Sequence, residues 1–262
     1  MKPTTPTMPP TMLYEKRERV AIITINRPEA MNAFTAEMLR AMDAAFADFN
    51  ADPGLWVAIL TAAGEKSFSA GMDLKEAIPL LAGGDELGYE DHTKRPFSDV
   101  FKPIIAAVNG FCIAGGLEFL QGTDIRIAAE HATFGLGEVR WGIIPTGGSH
   151  IRLPRQIPWA VAMELLLMGR PIDAKRAYDI GLVNAVVPAI DVLPTAIKWA
   201  ETICKNGPLA VKTAKEIAVR ALELEGGFVL EKALGARVFA SADAAEGPKA
   251  FAEKRPPKFT GR

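Results

Sequence analysis

The stretch from Asn109 to Glu118 reads N-G-F-C-I-A-G-G-L-E and is the part of this chain best suited to chemistry. A strand-like apolar run, Ile104 to Val108, leads into it. After the Gly pair the chain continues as an apolar, helix-like run carrying one acid. Glycine at a strand-to-helix junction lets backbone N–H groups approach a ligand closely, and the positive end of a helix favours negative charge there. Gly115 and Gly116 therefore read as half of an oxyanion site, with Glu118 one turn further on. A second junction of this kind lies upstream, where F-S-A-G-M-D-L (Phe68 to Leu74) follows a strand from Trp56 to Thr61. Two such donors are what the carbonyl of a thioester needs if it is to become an enolate.

Two acids stand out among the 31 Asp and Glu residues. Glu118 sits among Leu117, Phe119 and Leu120. Glu138 lies in F-G-L-G-E-V-R-W-G-I-I-P, between apolar residues and glycines. Acids in apolar surroundings have raised pKa values, and two acids facing one reacting centre divide the labour, one ionised and one protonated. The local pattern leaves a second reading open, in which both are surface acids or core ion-pair partners of Arg126 and Arg140.

Other chemistries fit less well. Of the three histidines, His92 is in a polar loop, His131 in a turn, and His150 follows Gly147-Gly148-Ser149. No G-x-S-x-G elbow is present, and Ser69 is the one nucleophile candidate near a Gly turn. Cys112 falls within the first motif, but no base lies beside it in sequence, so it reads as a small core residue. No metal-ligand spacing appears. Gly135-x-Gly137 lacks the third glycine of a dinucleotide fingerprint, and there is no Walker-type lysine loop.

The elements that must position these residues form an α/β pattern. Strands are predicted over Val20–Asn26, Trp56–Thr61, Ile104–Val108 and Ile125–Ala128, with a helix from Thr35 to Asn50. Strands separated by helices and Gly turns imply a layered α/β structure. Between Ile78 and Asp99 the pattern breaks into an excursion of about 20 residues, a length usually functional in a compact domain. From Pro158 onward helices are predicted over Trp159–Met168, Ala174–Ile180, Val192–Cys204, Leu209–Leu224 and Phe228–Ser241. The 262 residues suit one large domain or a core with a helical appendage. Residues 1–12 read as a mobile Pro/Thr-rich tail without a signal peptide's apolar region, 13–200 as the core, and 201–262 as a helical oligomerisation region. Net charge is −1 and no apolar run approaches the roughly 20 residues of a membrane span. Neither nucleic acid nor membrane is expected as a partner. Two cysteines imply reduced thiols and a cytoplasmic setting.

These motifs, taken together and in this order, resemble the crotonase (enoyl-CoA hydratase/isomerase) family nearly end to end. I-N-R-P-E-A-M-N-A-F resembles its first strand and adenine-side loop, F-S-A-G-M-D-L its first oxyanion loop, and Ile104 to Glu118 its second. F-G-L-G-E-V-R-W-G-I-I-P resembles the site of its second glutamate, and E-G-P-K-A-F-A-E-K-R-P-P-K-F its C-terminus. The resemblance implies an α/β spiral of ββα units with a helical C-terminal trimerisation region, assembled as trimers or hexamers. It implies a CoA thioester whose carbonyl oxygen accepts from the N–H groups of Met72 and Gly115. Ala30, Met31, Ala33, Ala70, Asp73, Leu74 and Pro145 would line the substrate. Lys258 and Phe259 would reach CoA near the adenine, from the same or a neighbouring subunit. No metal or redox cofactor is implied, since CoA is part of the substrate.

Within the family, members with both acids are mostly hydratases. The expectation is therefore an enoyl-CoA hydratase, with Glu118 activating water and Glu138 delivering a proton. The alternatives are another acyl-CoA lyase or isomerase of the fold, acting on carnitinyl- or other substituted acyl-CoA, and a non-catalytic binding member. Two departures bear on this choice: Thr146 follows Pro145 where many hydratases have glycine, and Leu136 stands where some carry a polar residue.

Overall fold

The computed structural model describes residues 9–75 and 91–261. The first eight residues of the expected tail, and residues 78–90 of the expected excursion, lie outside the described residues; 91–99 run as turns. Ten strands are described: β1 Met12–Arg17, β2 Val20–Ile25, β3 Val57–Ala62, β4 Ser67–Ser69, β5 Ile104–Val108, β6 Phe111–Ile113, β7 Ile125–Ala129, β8 Thr133–Gly135, β9 Ile172–Asp173 and β10 Ala185–Val187. Nine α-helices lie wholly within the described residues: α1 Ala36–Ala51, α2 Gly115–Gln121, α3 Ser149–Gln156, α4 Trp159–Met168, α5 Ala174–Asp179, α6 Val192–Ile203, α7 Pro208–Arg220, α8 Glu225–Phe239 and α9 Ala242–Ala252. None is long and apolar enough to cross a membrane.

The strands form a six-stranded sheet in the order β1-β2-β3-β5-β7-β10 and a four-stranded sheet in the order β4-β6-β8-β9. β2, β3, β5, β7 and β10 run parallel, with β1 antiparallel at the edge. Every residue of β3 and β5 is buried, as expected of parallel strands covered on both faces. α6 lies across β3, β5 and β7. The chain alternates between sheets, passing from β3 to β4, β5 to β6 and β7 to β8. A long strand, a short strand and then a helical segment make the repeating ββα unit of the spiral.

α1 shows how sequence sets an element. Thr35 caps it, its hydroxyl accepting from the Met38 N–H. Met38, Met42, Ala45, Phe46 and Phe49 then recur at helical spacing and are all buried. A ladder of rings ties α1 to α2: Phe46 lies 4.3 Å from Phe97, Phe97 lies 5.7 Å from Phe119, and Phe119 lies 4.8 Å from Phe34. Truncating Phe119 to alanine would cost about 3–5 kcal/mol, and Phe119 is the neighbour of Glu118.

Two of the differences from the sequence expectation lie near the ends of the chain. Met12, placed at the end of the tail, opens β1 and is only 1% exposed. α9, which carries Gly247 and Pro248, forms beyond Ser241, where no helix is predicted. Both residues are buried, and a Cβ on Gly247 would fall 1.6 Å from the Trp141 carbonyl oxygen. The helix therefore lies directly on the 3-10 turn Glu138–Trp141. The rings of Trp141 and Phe251 meet edge to face at 4.8 Å.

Candidate active site

β4 and β6 are neighbours in the small sheet, so the turns that follow them lie side by side. Gly71 holds φ +92°, and a Cβ there would sit 2.8 Å from the Ala114 Cβ and 3.0 Å from the Gly115 nitrogen. Only glycine allows this approach. The Met72 nitrogen lies 3.6 Å from where a Gly115 Cβ would stand. Residue 72 pairs with Phe34 in a parallel bridge whose hydrogen bonds use the Gly71 carbonyl and the Asp73 N–H. The Met72 N–H lies between them and has no hydrogen-bond partner among the described residues. The Gly115 N–H opens α2, where the first N–H groups have no partner within the helix. Ala114, just before it, takes φ 52° and ψ −125°. That is a strained conformation for alanine, and it turns the chain from β6 into α2. The sequence reading ran the strand from Ile104 straight into the Gly pair; β6 in fact intervenes and brings the two turns together.

Glu118 lies on α2 between buried Leu117 and Phe119. Its Oε1 accepts from the Gly147 N–H at 2.5 Å. A Cβ on Gly147 would stand 2.8 Å from the Glu118 carboxyl carbon, so the backbone lies flat against the acid. Glu138 sits in the 3-10 turn after β8 and is buried at 9% exposure. Its Oε2 has no hydrogen-bond partner among the described residues. Burial pushes the Glu138 carboxyl up to about 7, against its own N–H and the nearby His150. Burial likewise raises Glu118 well above the ordinary carboxylate range. The charges of Glu138 and Glu231 raise it further, and Gly147 and Arg95 oppose them. The two acids thus sense each other and titrate as a pair.

The alternative arginine partners are engaged elsewhere. Arg126 is buried and donates to the Leu182 and Thr123 carbonyls and to Gln156. The Arg140 stem packs at Gly169. The hydrolase candidates also resolve into structure. Ser69 donates to the Asn32 carbonyl and accepts from the Gly71 N–H. His131 meets the Glu65 carbonyl. Cys112 is fully buried, and burial pushes its thiol up.

The residues expected to line a substrate fall into two groups. Ala30, Met31 and Ala33 adjoin Ala70, Asp73 and Leu74. The Ala70 N–H donates to the Met31 carbonyl, the Asp73 N–H to the Phe34 carbonyl, and Asp73 pairs with Arg27 at 2.6 Å. Asn32, which the sequence reading did not single out, fixes this junction. It is buried at φ 55°, its amide donates to the Ala63 and Ser67 carbonyls, and its Oδ1 accepts from the Arg27 N–H. Pro145 is buried beside Thr146, whose methyl faces Gly235 of α8. Lys258 and Phe259 are exposed and lie against α9 and Gly142: the Lys258 N–H donates to Glu246, and the Phe259 ring adjoins Gly142.

Also absent from the sequence reading is a cluster behind Glu118, in which buried Arg95 and Glu231 meet the partly exposed His150. Glu231 lies in G-G-F-V-L-E-K-A-L, an acid in an apolar run, which is the same signal that singled out Glu118.

The profile of the family described as enoyl-CoA hydratase/isomerase matches residues 15–262. The chain is 44% identical over 264 residues to enoyl-CoA hydratase EchA19 of Mycobacterium tuberculosis, covering 97% of each. It is 40% identical over 253 residues to the carnitinyl-CoA dehydratase of Proteus mirabilis, covering 94% of this chain and 97% of that one. The crystal structure of carnitinyl-CoA hydratase from Mycobacterium avium superimposes with a TM-score of 0.88 at 37% identity, covering 97% of this chain and 100% of that one. A profile match over nearly the whole length, relatives of this identity, and the half-buried Glu118 and buried Glu138 in a fold that pairs two backbone donors lead to one assignment: the chain belongs to the enoyl-CoA hydratase/isomerase family and is an enzyme of the crotonase fold.

Proposed function

We propose that this enzyme adds water across the C2=C3 bond of a trans-2-enoyl-CoA. The observation that carries this reading is a pair of acids that sense each other, the half-buried Glu118 and the buried Glu138, each with a raised pKa, in a fold that also pairs the Met72 and Gly115 N–H groups. Glu118, as carboxylate, takes a proton from water while the oxygen attacks C3. The C2=C3 electrons move to the thioester carbonyl, whose oxygen becomes an enolate held by the Met72 and Gly115 N–H groups. One such donor is worth about 2.7–4 kcal/mol of barrier. Glu138, protonated, then gives its proton to C2 as the carbonyl re-forms. Ala30, Met31, Ala33, Ala70, Asp73, Leu74 and Pro145 line the substrate, and Lys258 and Phe259 meet the CoA near the adenine. No metal or redox group enters these steps. The protein works as a trimer or hexamer through its helical C-terminal region.

Relatives named as carnitinyl-CoA dehydratase support a second reading. The same groups acting in reverse would remove water from a substituted 3-hydroxyacyl-CoA.

The test is the loss of crotonyl-CoA absorbance by wild type, Glu118→Gln and Glu138→Gln side by side. Each variant should lose about 10²–10⁴-fold in kcat while still binding acetoacetyl-CoA. A variant with near-normal turnover would end that residue's role. A silent wild type that binds acetoacetyl-CoA would favour the second reading.

A further inference from the structure

The cluster behind the two acids takes no part in the steps above. Glu231 comes from α8, and its side chain is 1% exposed. Its Oε2 accepts from Arg95 Nε at 3.1 Å, and its Oε1 meets His150 Nδ1 at 2.9 Å. Arg95 also donates to the carbonyls of Phe228, Lys94 and His92. The cluster thus ties together residues 92–98, the start of α3, and α8. It reaches the acids through two glycines. A Cβ on Gly148 would stand 3.0 Å from the Phe228 ring and 3.1 Å from Arg95 Cγ, so this backbone rests on the cluster. Gly147 precedes it, and the Gly147 N–H is the donor that holds Glu118. The contact path therefore runs from Glu231 through Arg95 and His150 to Gly148, Gly147 and Glu118.

The charges around the acids come from several elements. Glu118 is faced by Glu138 of the 3-10 turn, Glu231 of α8, and Arg95. Glu138 is faced by His150 of α3. Arg152 of α3 lies over the Phe228 ring at 5.4 Å, as Arg95 does at 5.1 Å.

We propose that Glu231 is a positioning residue for the reaction: through Arg95 and His150 it fixes the Gly147–Gly148 turn, and so sets where the Glu118 carboxylate sits. This rests on the reading of Glu118 as the base. It carries a signed consequence. The charge on Glu231 opposes ionisation of Glu118, and Arg95 favours it. Neutralising Glu231 therefore makes Glu118 easier to ionise. Because the base acts as carboxylate, kcat falls as pH drops through its pKa, and in Glu231→Gln that acid limb moves to lower pH.

The experiment measures kcat and KM for crotonyl-CoA hydration across pH, together with thermal midpoints. The proteins are wild type, Glu231→Gln, Glu231→Asp, His150→Asn and Glu118→Gln. Glu231→Gln should lose up to about 100-fold in kcat, as a base displaced by an ångström does. Its KM should change far less, and its acid limb should shift down. Glu231→Asp should recover part of the loss. An unchanged kcat, or a loss equal at every pH with no shift of the limb, overturns the proposal. If Glu231→Gln does not fold, His150→Asn, at a half-exposed position, carries the comparison. It should lower kcat more than it raises KM at an unchanged thermal midpoint, and wild-type kinetics there overturn the proposal. Full turnover in Glu118→Gln would instead sink the assignment of the base, so the two failures are told apart.

Discussion

Glu138 keeps Oε2 inside the protein with no donor among the described residues, and burial pushes its carboxyl from the ordinary 4.5 up to about 7. Between those values the folded chain holds a proton that the unfolded chain has released, so stability falls as pH rises from about 4.5 to about 7. Glu118 is shifted in the same direction. Glu138→Gln should therefore raise the thermal midpoint at about pH 8 while cutting kcat about 10²–10⁴-fold, and the gain should shrink at about pH 5. A lower midpoint at both pH values would mean that the carboxylate is better solvated than its burial implies. Both acids were legible in the sequence because each interrupts an apolar, Gly-marked run. Glu231 has the same apolar signature, but its meaning depends on Arg95 and His150, which are 136 and 81 positions away. No local pattern carries a pairing at that range.

At the scale of elements, the site is a meeting of turns. β4 and β6 set the two backbone donors next to each other, α2 carries Glu118, and the Gly147–Gly148 turn lies against its carboxyl. Gly147→Ala should test that contact directly. Its Cβ would stand 2.8 Å from the Glu118 carboxyl carbon, so the acid must swing away. A misplacement of about an ångström costs roughly 100-fold, and kcat should fall on that order while acetoacetyl-CoA still binds. Wild-type kcat in this variant would show that the acid has room to move. The main strands and helices were readable from apolar runs and helical spacing, and α4 matches its expected bounds, Trp159–Met168. β4, β6 and β8 are three residues each, too short for alternation to register, although they create the site. α9 lies beyond the predicted helices; it contains Gly247-Pro248, poor helix formers whose place in a helix is settled by packing on Trp141 and not by propensity.

At the scale of the molecule, the helical region leaves many apolar side chains in water. Leu209, Ile217, Leu222, Val229, Leu230 and Leu234 of α7, α8 and the link between them are all exposed in the single chain, more than a monomer needs. Light scattering should give three or six times the chain mass of 28.2 kDa, and the thermal midpoint should rise with protein concentration. A mass of one chain would refute this. The seat of α9 on the Trp141 carbonyl has a consequence for recombining this enzyme with its relatives. With no space for even a methyl group at Gly247, the C-terminal segment and the turn bearing Glu138 fit each other as one moulding. A chimera joined just before residue 242 would graft a foreign helix onto a native acid turn and tilt the acid. Domain shuffling that preserves activity must therefore take both pieces from the same parent, although a hundred residues separate them.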